Sequence, residues 1–385
     1  MKKVLLAMAV ASMMLVGCKD DKVKQKNDSN DIRFATHMGI SRATEVSTAT
    51  LEKFKAYVQK PDATGSSWED FFTAEVSKAQ GATSWTYAPV KQWIPGKSLR
   101  FYGVAPADLT FNNNSGKITV DFTPKTNAKD QQDLIIAAQE TGKVTPVMMN
   151  FQHALSQVMI KAKNTGAKYK VEVAAVRLTN FDEKGACEIA LTGTDAKKRQ
   201  YSWPTPSGAH KFFAAAENDG AVVTINPNTT TATALDFTQG GFMILPKDLS
   251  GAKWEPVAAD PGKDLQESKA RLTFAIRVTS ADDGALLYPT DNTKFGWAAI
   301  GIDTNFEGGK KYVITLDFAN GAGLQDPDEG GNTTPDPSSP DPTIPGGGID
   351  PKPVDPATPV LNSNDIVFDV TVEDWEDAGE TVINL

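Results

Sequence analysis

Ser363-Asn364-Asp365-Ile366-Val367-Phe368-Asp369-Val370-Thr371-Val372 is the stretch on which the reading of this chain turns. Ile366, Phe368, Val370 and Val372 alternate with Val367, Asp369, Thr371 and Glu373. That period of two puts one apolar row on one face of a β-strand. The other end of the chain carries nearly the same words. Ser29-Asn30-Asp31-Ile32-Arg33-Phe34 differs from Ser363–Phe368 only at Arg33, which stands where the tail has Val367. Two segments with the same apolar row can fill the same slot in a sheet. The repeat therefore implies a head strand (Ile32, Phe34) that the tail of another molecule can replace, hence a polymerising subunit and not an enzyme. The plainer reading is that the six residues agree by chance, or that both are ordinary edge strands.

Outside these strands the termini read as export and tethering signals. Met1-Lys2-Lys3 is a basic start, followed by an apolar run from Val4 to Val16. The run is too short to span a bilayer as a helix and has the size of a signal-peptide core, so residues 1–17 are expected to be removed. Leu15-Val16-Gly17-Cys18 looks like a lipobox, after which Cys18 would carry acyl chains such as palmitate and tether the protein to a membrane. Lys19-Asp20-Asp21 resembles the acidic signal that sends lipoproteins to the cell surface; a solvated tether over 18–30 explains it equally well. The only other cysteine is Cys187, so no disulfide framework is expected and stability must come from core.

Between the ends the pattern is all-β. Short alternating segments rich in Val, Ile, Thr, Phe and Tyr recur, separated by Gly, Asn and Pro. Strands are predicted at 31–37, 51–58, 68–76, 84–88, 99–104, 117–122 and 134–138, with Asn112–Gly116 as a turn. After Pro146 they resume at 147–151, 157–161, 169–178, 221–225, 242–245, 271–279 and 311–318. Two sandwich domains are expected, 31–146 and 147–320. In the strand 271–279, Leu272, Phe274, Ile276 and Val278 form one row against Arg271, Thr273, Ala275 and Arg277, which predicts a half-buried strand. Residues 321–360 turn to Gly, Pro, Asp, Thr and Ser, the composition of a spacer. The tail segment, 361–385, follows it.

Chemistry is sparse. The three histidines, His37, His153 and His210, lie far apart and outside any metal spacing. Gly96-Lys97-Ser98 ends like a phosphate-binding loop, but its first glycine would fall on Lys91. The tryptophans Trp68, Trp85, Trp93, Trp203, Trp254 and Trp297 read as core and rim, with a sugar platform as the other option. His153 reads as a structural histidine and Cys187 as a small buried residue. The formal charge of −9 argues against nucleic acid as partner. No catalytic group, metal or cofactor is expected.

Phe151-Gln152-His153-Ala154-Leu155-Ser156 resembles the fimbrillin family, the lipoproteins that build type V pili in Bacteroidetes. The likeness extends to the lipobox, Asp133–Ala137, Phe242–Pro246, Gly308–Leu316 and the closing Val370–Trp375. It implies two transthyretin-like Greek-key sandwiches and residence as an outer-membrane lipoprotein at the cell surface or in the fimbrium. It also implies an arginine-specific protease that frees the first strand and a neighbour's C-terminal strand that fills the groove. Carried over, the cut falls after Arg42, in the polar loop behind the head strand, with Arg33 the poorer choice because it lies inside that strand. The donor row is Ile366, Phe368, Val370 and Val372. Partners are then other fimbrial subunits, the membrane through the lipid, the protease, and a host or bacterial surface ligand. The competing expectation is a glycan-binding surface lipoprotein that stays monomeric with its tail paired to itself.

Overall fold

The computed structural model describes residues 30–37, 50–191, 199–204, 206–207, 210–216, 222–235, 241–255, 269–326, 348–350, 358–361 and 366–374. Over these residues the chain is all-β, with one short 3-10 turn at Ala128–Asp130.

The first sheet orders Trp68–Ser77, Lys53–Pro61, Leu99–Ala105, Ile135–Thr141 and Gln152–His153. At its centre, residues 56–59, 101–105 and 135–138 are buried on both faces because both faces are covered. Phe54, Val58, Phe101, Ile135 and Ala137 point into one core, where Ile32, Phe34, Trp93 and Val147 join them. Tyr57, Tyr102, Val104, Ile136 and Ala138 point the other way, against Ile118, Val120, Cys187, Ile189 and Leu245. One sequence period of two thus serves two cores at once. The covering sheet orders Tyr201–Ser202, Gly185–Ile189, Lys117–Phe122 and Phe111–Asn114, so strands from both sides of Pro146 share it.

Asn112–Gly116, expected as a turn, is mostly strand. Asn114 pairs with Lys117, which leaves Ser115 and Gly116 as the whole loop. Both have positive φ, 55° and 87°, as a two-residue hairpin turn matched to strand twist requires.

A second pair of sheets encloses the largest core. One orders Thr229–Ala234, Ser156–Asn164, Lys310–Asp317 and Val367–Asp374. The other orders His210–Ala216, Tyr169–Phe181, Arg271–Ser280, Gly296–Gly301 and Leu324–Gln325. Val158, Ile160, Val173, Phe274, Ile276, Ile314 and Leu316 meet between them.

Arg271–Ser280 is not half-buried. Residues 271–276 are buried on both faces, Arg271 and Thr273 included. The covering chain is the start of the spacer: Leu324–Gln325 adds to Gly296–Gly301, and Asp326 is buried with its carboxylate 3.0 Å from Arg271 Nη2 and 3.4 Å from Arg177 Nη2. The Arg177 guanidinium stacks 3.4 Å above the Trp297 ring. Charge placed on the second face escapes notice in a period count because its partner lies in a stretch that reads as linker.

Further spacer residues also dock. The Ile349 segment bridges to Phe295, and Thr358, Pro359 and Val360 run back along Gly323–Gln325. Val360 and Leu361 are buried in the large core.

Removing the Asp326 carboxylate would strand two buried arginines. Asp326→Ala is expected to lower stability by about 3–5 kcal/mol, read as a shift in the urea midpoint. Cys187, fully buried with its thiol pushed up by that burial, should resist iodoacetamide in the native protein expressed from Lys19 and react in urea. Alkylation at native-like rates would contradict this burial.

Candidate functional site

The head segment lies between two stretches of chain and is bonded to both. On one side Ile32 N–H donates to Lys91 O at 2.8 Å, and Trp93 N–H donates to Asn30 O at 2.9 Å. On the other side Phe34–His37 runs parallel to Val147–Asn150, Phe34 opposite Val147 and His37 opposite Asn150. Val147 N–H donates to Arg33 O at 2.7 Å and Phe151 N–H to His37 O at 2.9 Å. Tyr87 Oη closes the slot by donating to Ile32 O at 3.0 Å. Under this ladder Ile32 is 0% exposed and Phe34 4%. The Phe34 ring meets Phe54, Tyr87 and Phe101 edge-on at 5.4–6.1 Å between centroids. Edge-to-face contacts of this kind add to the area that each ring buries.

The tail occupies a different edge. Val367–Asp374 runs antiparallel to Lys310–Asp317, with Phe368 opposite Leu316, Val370 opposite Ile314 and Val372 opposite Tyr312. The other edge of Lys310–Asp317 pairs in parallel with Ser156–Asn164. Burial falls along the tail's apolar row: Ile366 is 5% exposed, Phe368 and Val370 are half-buried, and Val372 is 52% exposed. The Ile-x-Phe pair therefore sits deeper at the head than at the tail.

Asp317 ends the strand that the tail covers. Burial disfavours its charge, but Thr165 N–H and Oγ1, Ala319 N–H and nearby Lys163 outweigh it and hold its pKa below the usual carboxylate value. A depressed folded pKa adds stability once the unfolded carboxylate has ionised, and that contribution is lost as pH falls through the lower value.

Of the other residues named from sequence, Cys18 and Arg42 lie outside the described residues. Arg33 is held in the head segment, its guanidinium 3.2 Å from Asp31 and its carbonyl in the ladder. His153 is buried with Nδ1 2.5 Å from Asp133 Oδ2, a structural pair. Trp93, Trp254 and Trp297 are core residues. Trp68, Trp85 and Trp203 are half-buried; Trp68 lies under Arg100 and Trp85 under Lys78.

The stretches singled out at 133–137, 151–156, 242–246 and 308–316 come together in one neighbourhood. Ile135 pairs with His153 and Ala154 N–H reaches Leu134 O. Gln157 pairs with Met243 on one edge and Lys311 on the other. Their order in the chain thus reflects one hydrogen-bonded junction between the two layered halves.

Among the described residues no group of three or more His, Cys, Asp or Glu could hold a metal ion, and no helix is long and apolar enough to cross a membrane. A cleft of about 550 Å³ beside Leu51, Pro106 and Gln132 is bordered by Glu52, Asp108 and Asp133. No serine, cysteine or histidine lines it beside those carboxylates.

The sequence profile of the fimbrillin-like family matches residues 41–334. The chain belongs to the fimbrillin-like family. Membership makes this a fimbrial, cell-surface protein of a structural kind. The matched range of this fimbrillin-like chain stops short of both the head and the tail strands. Solved structures similar to it include candidate cell adhesion proteins from Bacteroides uniformis (13% identity, TM-score 0.40, covering 90% of this chain and 98% of that one) and Bacteroides eggerthii (14%, 0.39, 90% and 95%). Another comes from Parabacteroides distasonis (9%, 0.42, 90% and 100%). Among curated proteins none is similar enough to be matched to this fimbrillin-like chain.

The two slots should respond differently to truncation. Phe34→Ala is expected to cost about 3–5 kcal/mol, whereas Phe368→Ala should cost roughly 1–2 kcal/mol because its ring is only half-buried. Chemical denaturation of both variants measures the difference; equal losses would contradict it. Asp317→Asn should flatten the loss of stability on acidification below about pH 4, since it removes a carboxylate whose ordinary value is 3.8.

Proposed function

We propose that this fimbrillin-like protein is a subunit or accessory of a surface fimbria, exported as a lipoprotein on Cys18 and assembled by strand exchange. In this reading a protease cuts after Arg42, the head segment leaves, and the tail of a neighbour takes its place. One observation carries the reading: Ser-Asn-Asp-Ile-x-Phe occurs at both ends, and its Phe is 4% exposed at the head but half-buried at the tail. The repeat has the same chain direction at both ends. A tail entering the head slot would run parallel to Val147–Asn150, with Ile366 in the place of Ile32 and Phe368 in the place of Phe34.

Physical cost and gain favour the move. Loss of the head strips partners from Lys91, Trp93, Val147 and Phe151 and uncovers Phe54, Tyr87 and Phe101. An exposed edge over an apolar trough is a template for an added strand. Each large side chain seated there contributes roughly 1.5–3 kcal/mol.

A second reading has its own observation. The tail strand is seated on Lys310–Asp317 of its own chain, as expected of a monomeric surface protein, for instance one that binds glycans and keeps its tail.

Protein expressed from Lys19 and treated with an arginine-specific protease separates the two. A cut after Arg42, followed by a heat-labile ladder on an unheated denaturing gel, is the expected result. The ladder should vanish when residues 366–385 are deleted, a boundary that spares the buried Leu361. Cut protein that stays monomeric at high concentration would support the self-paired monomer instead.

A further inference from the structure

Donation of the tail leaves a vacancy behind. The edge of Lys310–Asp317 loses eight paired residues, and Ile314, Leu316 and Phe318 lose the cover of Ile366, Phe368 and Val370. We propose that this edge is a second acceptor, and that its occupant once the tail has gone is the Ser29–His37 segment of a chain of this same sequence. The proposal deepens the strand-exchange reading, which supplies the reason for the slot to empty, but the fit itself does not depend on polymerisation.

The fit is read position by position in the register the tail uses. Ile32 replaces Ile366 beside Phe318, and Phe34 replaces Phe368 opposite Leu316. Thr36 replaces Val370 opposite Ile314, a side chain of the same branched shape at a half-buried site. Ala35 and His37 fall where the tail has the exposed Asp369 and Thr371. The single difference within the shared six residues then acquires a role. Arg33 falls where Val367 stands opposite Asp317, so an opposite-charge pair forms across the strands.

Asp317 is suited to receive it. Its carboxylate is kept in place by Thr165 N–H at 3.0 Å, Thr165 Oγ1 at 2.8 Å and Ala319 N–H at 3.1 Å, with Lys163 Nζ at 3.8 Å. An anchored carboxylate binds a second cation with little further ordering cost. The two ends of the chain are thus interchangeable inserts for two slots. Exchange displaces each strand into a place that accepts it, and a released head segment competes with tails for the slot on Lys310–Asp317.

The test uses the chain from Lys19 with residues 366–385 deleted, whose own head still fills the head slot. Fluorescein-labelled peptides Ser29–Met38 and Ser363–Asp374 are titrated by anisotropy. Both are expected to bind at one site, each displacing the other, and Arg33→Asp in the head peptide should weaken it by about threefold or more. Asp317→Asn in the protein should erase most of that difference. A protein that takes up the tail peptide but not the head peptide, or a head peptide that the tail peptide cannot displace, overturns the proposal.

Should the truncated chain bind neither peptide, the full chain with a specific protease site replacing residues 351–357, folded intact and then cut, repeats the measurement on a formed slot. Uptake of labelled tail without labelled head overturns the proposal there too. Failure of the ladder experiment alongside mutual peptide displacement would sink strand-exchange assembly while leaving the second acceptor standing.

Discussion

A β-strand with both edges engaged cannot be withdrawn without leaving backbone groups unpaired over a dry surface, and the organisation of this protein follows from that constraint. At the head, the carbonyl of Lys91, the N–H groups of Trp93, Val147 and Phe151, and the rings of Phe54, Tyr87 and Phe101 all depend on one short insert. The segment is covalently continuous with the chain, yet its contacts are those of a ligand in a groove. Buried N–H and C=O groups need partners almost without exception, so whichever strand leaves, another of the same pattern is favoured to enter.

Where one face of a strand is covered and the other is wet, alternation announces it, and the segments at 117–122 and 310–317 were legible for that reason. Legibility fails where the second face is also covered. Gly296–Gly301 is apolar throughout and presents no period, although every residue in it is buried. Thr229–Ala234 is an edge strand of threonine and alanine, with no apolar row to mark it as a strand. Gly185–Ile189 went unread because its partner, Lys117–Phe122, lies more than sixty residues earlier and no local signal points to it.

The candidate site divides in the same way. The repeated six residues and the apolar row were open to inspection, and so was the fold class. The parallel pairing of the head with Val147–Asn150, the clasp from Lys91 and Trp93, and the seating of the tail on Lys310–Asp317 depend on register between distant strands. Composition also misrepresents the spacer. Ala322, Asp326, Val360 and Leu361 are core residues within or beside a stretch of Gly, Pro and Asp, because two buried arginines and a sheet edge await them.

The docking of that spacer sets the length of the tail's tether. With Val360 and Leu361 seated, only residues 362–365 separate the fold from the tail strand. Freeing residues 358–361 lengthens the tether to residues 351–365, and freeing the Ile349 bridge as well lengthens it to 327–365. Each docked point shortens the stretch of chain between the fold and the tail strand, and a shorter loop costs less to close. A few buried residues at the far end of a proline-rich segment thereby decide how strongly the chain holds its own tail against a neighbour.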